Sequence, residues 1–287
     1  MTKERKRNLW LALLITTLGL GAVSFAAAGI IRHPRTTEPR LQSDQHSSNV
    51  TRVTGKAHVR RGLLSPRLVW NLKALGNRLE QPGKERLTIT GVLRRSVDSQ
   101  AREITAVLEF PDRLRLALQH GPQSRVITFD GEQARGALKA LEPDELDLIE
   151  TLTYDTAEHF FATQMQGNAM RFLGARFRTD DGTSTNYEGP YYDIYQVADQ
   201  IKASGQTRLA KLYYFNADTL LLERVSYRAE RDGSEIAVET RISDWRELEG
   251  QQTARRIERF ENGKSVFVLS IASAQLGARA DDRMFVQ

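Results

Sequence analysis

The chain contains no cysteine. That excludes disulfides, thiol nucleophiles and lipid attachment through an N-terminal cysteine, so the fold must hold by its own core. Catalytic and ligating patterns are missing as well. The five histidines, His33, His46, His58, His120 and His159, are scattered, and Glu158-His159 has no second ligand at helical spacing, so there is no H-E-x-x-H zinc site. His159 reads as a surface or lid side chain. No G-x-S-x-G elbow surrounds a serine, and no Gly-rich phosphate loop or βαβ spacing supports a parallel nucleotide-binding sheet. Asp180-Asp181-Gly182 lacks the closing acid of a calcium loop and reads as a plain turn. The expectation is a protein without catalytic residues, metal or cofactor.

Charge of one sign is not in excess either, once the N-terminus is set aside. The whole chain is +5, but residues 1–31 hold four Lys/Arg and one Glu, which leaves 37 basic against 35 acidic side chains. Bases alternate with acids, as over residues 224–239, instead of forming a stripe, so no nucleic-acid partner is expected.

Long apolar runs are confined to one place. Residues 9–31, with Leu9, Leu14, Leu18, Val23, Ile30 and Ile31 among them, form a 23-residue stretch free of charged side chains, preceded by Lys3, Arg5, Lys6 and Arg7. As a helix it spans roughly 34 Å, enough to cross a hydrocarbon core about 30 Å thick. The basic flank holds the N-terminus in the cytoplasm, which puts everything after residue 31 outside, in the periplasm. Ala26-Ala27-Ala28 offers an A-x-A-type cleavage site, so the segment is either a signal peptide or a retained inner-membrane anchor. Residues 32–53, rich in Pro, Ser, Thr, Asn and Gln, read as a disordered linker. Residues 54–287 remain for one large β domain.

There the apolar residues recur at period two. Leu87, Ile89, Gly91 and Leu93 alternate with polar neighbours, as do Ile104, Ala106, Leu108 and Phe110, and then Leu114, Leu116 and Leu118. Similar runs follow at residues 126–129, 191–198, 211–215, 222–228, 235–245, 255–260 and 266–272, so about ten strands with one apolar face are expected. Asp130-Gly131, Asp232-Gly233 and Asn262-Gly263 sit between such runs and predict type I′ hairpins, hence an antiparallel meander. Two stretches break the pattern. Leu68, Trp70, Leu72, Leu75 and Leu79 predict an amphipathic helix over residues 65–80, and Leu146, Ile149, Leu152, Phe160 and Phe161 a longer, broken one over residues 142–165. A sheet that size with two or three helices cannot cover both faces. It should be mainly β (α+β), a curled antiparallel half-barrel whose concave side the helices close.

The C-terminal third carries a resemblance. Tyr213-Tyr214-Phe215-Asn216, Leu220-Leu221-Leu222, Glu239-Thr240-Arg241-Ile242-Ser243-Asp244-Trp245, Glu249-Gly250 and Arg256-Ile257-Glu258-Arg259-Phe260-Glu261-Asn262-Gly263-Lys264, together with Phe129-Asp130-Gly131, resemble the outer-membrane lipoprotein-sorting (LolA/LolB-like) superfamily. The likeness covers residues 72–287. It departs from the late Y-x-x-x-x-G-x-x-x-P pattern, having Ala254 near where Pro is expected. The resemblance implies an open β-barrel whose apolar hollow receives acyl chains while a lid helix moves aside, and assigns the family carrier's acyl-sensing arginine to no particular Arg here.

A curled sheet too large to fill its own interior leaves an apolar cavity, with Ile89, Leu108, Leu116, Phe215 and Trp245 as its expected lining. The expectation is therefore a non-enzymatic periplasmic protein that binds a lipid or acylated protein. The alternative is a membrane-anchored sensor or scaffold module that binds an envelope protein partner.

Overall fold

A computed structural model describes residues 64–96, 101–120, 123–136, 141–177, 190–197, 210–231 and 233–285, all within the compact unit Lys56–Gln287. The expected leader 1–31, the linker 32–53, Asp180-Asp181-Gly182 and Asp232 lie outside the described residues. Among the described residues no helix is long and apolar enough to cross a membrane.

Twelve strands form one antiparallel sheet: β1 (Arg86–Arg95), β2 (Arg102–Glu109), β3 (Arg113–His120), β4 (Gln123–Phe129), β5 (Ala134–Gly136), β6 (Met170–Phe177), β7 (Tyr191–Val197), β8 (Lys211–Asn216), β9 (Leu222–Arg231), β10 (Ser234–Leu248), β11 (Gln251–Glu261) and β12 (Lys264–Gly277). The order is β5-β4-β3-β2-β1-β12-β11-β10-β9-β8-β7-β6, so the sheet is unclosed, with β5 and β6 at its edges. All ten expected strands are present. β5 and β6 were not expected.

Alternation explains the register. Leu87 pairs with Leu108, Leu108 with Leu114 and Leu114 with Phe129, and the next row runs Ile89, Ala106, Leu116, Ile127. Each row buries one face, and a slip of one residue would turn the whole row to solvent. Register shifts at Thr90/Gly91, Arg259/Phe260, Tyr214/Phe215 and Phe172/Gly174 are bulges, the device that bends a strand and curls the sheet into a half-barrel.

The Asn262-Gly263 hairpin is type I′ as expected, with φ of 47° and 77°, and Glu249-Gly250 adopts the same geometry at 50° and 76°. Asp130-Gly131 is a correction. Only Gly131 has positive φ, and Asp130 Oδ1 instead accepts the amides of Glu132 and Gln133, an Asx turn. Burial opposes ionisation of Asp130, but those amides and Arg135 outweigh it and hold its carboxyl below the usual range.

Helix α1 (Pro66–Leu75) starts at Ser65, whose hydroxyl accepts the Leu68 amide, with proline in the first turn. It ends at Gly76, earlier than residue 80, and a short 3-10 turn, Arg78–Glu80, follows. Gly76 has φ 101°, and a Cβ there would lie 2.6 Å from the Gly250 carbonyl, so both conformation and space demand glycine. The second helical stretch divides into α2 (Pro143–Thr153) and α3 (Ala157–Met165), the latter capped by the Thr156 hydroxyl, which accepts the His159 amide.

The core forms two clusters. One gathers aliphatic residues of β1–β4 and β12 with Leu148, Ile149 and Leu152 of α2. The other gathers Phe160, Phe161 and Met165 of α3 and Leu68, Leu72 and Leu75 of α1 with Tyr195, Tyr213, Phe215 and Tyr227 of the later strands. On the opposite face of β3, a C-terminal 3-10 turn, Asp282–Phe285, buries Phe285 under the Arg113 guanidinium, 5.3 Å from its ring.

Candidate ligand-binding site

Among the described residues the helical cover leaves a small, partly open space where the two clusters meet. It measures about 60 Å³ and is walled by Ile89, Leu108, Phe110, Leu152, Ile242, Trp245, Ile257 and Ile271, with Arg78 and the α2–α3 link at its rim. Of the five residues expected to line a hollow, Ile89, Leu108 and Trp245 are in this wall. Leu116 and Phe215 are not. Leu116 is 0 % exposed within the aliphatic cluster, and Phe215 is 1 % exposed among rings, 5.1 Å from Phe160 and 5.9 Å from Tyr195. Both point inward as the alternation requires, but packed helices fill the space that an empty half-barrel would leave.

Trp245 and Gln252 also border an open outer cleft of about 610 Å³, together with Ala74, Thr219, Leu221 and Glu223. Ring and amide thus stand between the interior space and the outside. The Trp245 indole nitrogen is buried without a hydrogen-bond partner among the described residues.

Arg78 lines the same space next to Gln252. Its guanidinium is buried, pairs with Glu158 of α3 at 3.1 Å, donates to the Gln252 carbonyl and lies 5.7 Å from the Phe110 ring. Burial lowers its pKa, with Glu158 opposing.

An ionic seam, which sequence reasoning missed, runs beneath α2 and the α2–α3 link. Arg259 of β11 reaches Asp147 at 3.0 Å and also donates to Thr151 and to the Tyr227 hydroxyl. Arg231 of β9 reaches the same carboxylate at 2.7 Å, and Glu261 braces both arginines. Lys211 of β8 and Asp155 form a fully buried pair at 2.7 Å, with Thr240 donating to the second carboxylate oxygen. Lys211 and Tyr213 also donate to the Tyr154 carbonyl, which fixes the break between α2 and α3. Arg125 pairs with Glu145 at 3.0 Å, and Arg95 with Asp144.

Burial raises the Asp147 carboxyl, with Arg259 and Arg231 pulling it back. Burial likewise opposes the Arg259 charge, but Tyr227, Asp147, Asp155 and Glu150 outweigh it and hold the guanidinium above its usual value. The signal for this seam was in the alternation. Arg259 is two residues from Ile257 and Lys211 two from Tyr213, so each charge occupies an inward phase.

His159, expected as a surface or lid side chain, is on α3 and buried, not at the surface, edge-on to Tyr154 at 4.8 Å. Among the described residues no group of three His, Asp or Glu is placed to hold a metal ion.

No protein-family model matches the chain, and no curated protein matches it in sequence. Its fold is similar to solved structures, among them the following three. A LolA superfamily protein from Nitrosomonas europaea is 12% identical with TM-score 0.50, covering 77% of this chain and 97% of that one. An outer membrane lipoprotein-sorting protein domain from Vibrio parahaemolyticus is 8% identical with TM-score 0.42, covering 76% and 97%. A DUF1329 family protein from Desulfovibrio piger is 9% identical with TM-score 0.44, covering 77% and 98%. The Nitrosomonas structure and the unclosed twelve-stranded sheet agree on one point: the chain folds like a LolA superfamily protein.

Proposed function

We propose that this chain is an extracytoplasmic, non-enzymatic protein that takes the acyl chains of a lipid, lipoprotein or similar amphiphile against the concave face of its half-barrel. The observation that carries the reading is the apolar space at the meeting of the two clusters, walled by Ile89, Leu108 and Trp245 and roofed by the α2–α3 link. At about 60 Å³ it is near a fifth of the smallest usual ligand pocket, about 300 Å³, so it receives at most the tip of a chain until α2 and α3 shift. At about 0.8 kcal/mol per CH₂, a 16-carbon chain supplies on the order of 10 kcal/mol toward that movement. Arg78, which lines this space and is tied to α3 through Glu158, is a contact that a shift of α3 would break. Native mass spectrometry of protein purified from membranes without added lipid tests the reading. A discrete mass excess of one amphiphile supports it; only the bare polypeptide, after extraction conditions that preserve a known carrier's lipid, counts against it.

A second reading is favoured by how completely the interior is filled: a membrane-anchored sensor or scaffold module that binds an envelope protein and needs no cavity. Fractionation with N-terminal sequencing separates the two. Retention of residues 9–31 in the mature chain favours the module, since a shuttle must leave the inner membrane, and cleavage favours the carrier.

A further inference from the structure

The cover of the half-barrel is acidic on its inner side, and the sheet beneath it is basic at inward positions. Asp147 and Asp155 meet Arg259, Arg231 and Lys211, which come from three different strands and stay with the sheet whatever the helices do. Arg259 is 1 % exposed and Lys211 fully buried. Acyl-chain entry under α2 and α3 withdraws both carboxylates together. Glu261, on β11, remains beside the two arginines, but one carboxylate cannot serve two guanidinium groups as well as two do. A buried cation stripped of its partner is strongly disfavoured, so this movement is open only to a ligand that replaces the charge it removes.

On that basis, and resting on the lipid-binding reading above, we propose that the amphiphile carries an anionic headgroup, seated on Arg259, Arg231 and Lys211 in place of the helix carboxylates. Asp147 and Asp155 then stand in for that headgroup in the closed protein, and cover and ligand compete for the same cations. A phosphate or carboxylate meets the paired arginines bidentately, with Lys211 as a point charge beside them. A neutral headgroup leaves the two arginines to share Glu261 and supplies no carboxylate in place of Asp155 at Lys211. The aliphatic and aromatic clusters flank the seam on either side, so chains and headgroup are accommodated without rearranging the sheet.

The test uses the full chain and defined vesicles. Protein is incubated with vesicles of dioleoylphosphatidylglycerol, of dioleoylphosphatidylcholine, or of the latter doped with either oleate or methyl oleate, then separated by size and its bound lipid quantified. Retention of phosphatidylglycerol over phosphatidylcholine by about tenfold, a difference near 1.4 kcal/mol, is the expected result. Oleate retained over methyl oleate, with neither phospholipid held, supports the same headgroup charge and assigns its source to a fatty acid. Because Arg259 substitutions endanger the fold, the variant is Arg231→Gln, whose side chain is 28% exposed at the rim. It should bring the anionic-to-zwitterionic ratio toward one, whereas Asp147→Asn should raise anionic uptake above the parent's. Equal retention of charged and uncharged lipids by the parent overturns the headgroup assignment and leaves acyl-chain binding standing. Absence of any bound lipid overturns both.

Discussion

The two halves of the concave face are packed by different means. On the side of β1–β4 and β12, Leu and Ile in period-two rows meet the Leu and Ile of α2. On the side of β7–β10, rings do the packing: Phe160 lies 4.8 Å from Tyr213, 5.1 Å from Phe215, 5.3 Å from Phe161 and 5.7 Å from Tyr195, mostly tilted. Aliphatic side chains carry no polar atoms, so the Leu and Ile rows of the first half need none satisfied, and Tyr154, which packs with them, donates its hydroxyl to the Gly131 carbonyl. Tyrosines do carry them, and the polar seam borders their half, where Tyr227 accepts from Arg259 and Tyr213 donates to the Tyr154 carbonyl. The internal space opens where one packing mode stops before the other begins.

The comparison breaks most severely if a charge enters the aliphatic rows. Leu116→Glu should abolish cooperative folding, because a buried unpaired carboxylate costs several kcal/mol. Arg115→Glu, one residue away on the other face of β3, should change stability by about 0.5 kcal/mol or less. Urea denaturation of the two decides it, and similar midpoints would mean that the register of β3 is wrong.

Between the halves, the seam should behave asymmetrically. Asp155→Ala leaves Lys211 buried without its carboxylate and should cost about 3–5 kcal/mol. The double variant Asp155→Leu, Lys211→Met removes both charges and should recover most of that loss. If the double variant is no better than the single, the pair is not what makes this position sensitive, and the hydrogen bonds to Tyr154 and Thr240 are.

The hairpin from β11 into β12 joins the two halves, and Gly263 there sits at φ 77°. Gly263→Val should cost about 1–3 kcal/mol by forcing a β-branched residue into a left-handed conformation. Thermal denaturation checks it, and an unchanged midpoint would place the turn in another conformation.

The strands were legible because alternation is local, and the two that escaped show its limit. β5 has three residues, too few to alternate, and β6 loses its phase at the Phe172/Gly174 bulge. The helix break at Tyr154-Asp155-Thr156 was visible only as ambiguity, since what fixes it is Lys211, 56 residues further on. Ile89, Leu108 and Trp245 border the small space, since inward phase is necessary for a residue to reach it. Leu116 and Phe215 do not, because whether an inward residue meets space or a helix depends on where α2 and α3 dock. The seam escaped for a related reason: Arg259 and Lys211 in inward phase announce a partner without saying which acid it is.

The smallest effect sharpens the comparison from the aromatic side. Tyr195 packs between Phe172 at 5.1 Å and Phe215 at 5.9 Å, and its hydroxyl is buried with no hydrogen-bond partner among the described residues. Burial pushes the phenol up to about 12, with Asp193 adding and Arg67 opposing. A folded value above the unfolded one of about 10 means that the fold favours the neutral phenol. That contribution is fully present below pH 10 and is lost as pH rises through about 12. Tyr195→Phe removes an unsatisfied group at constant shape, so at pH 7 it should leave stability unchanged or raise it by up to about 1 kcal/mol. Its alkaline decline between pH 10 and 12 should be shallower than the parent's. Urea midpoints at pH 7, 10, 11 and 12 measure both effects. A variant less stable at pH 7 would show that the Tyr195 hydroxyl does find a partner in solution.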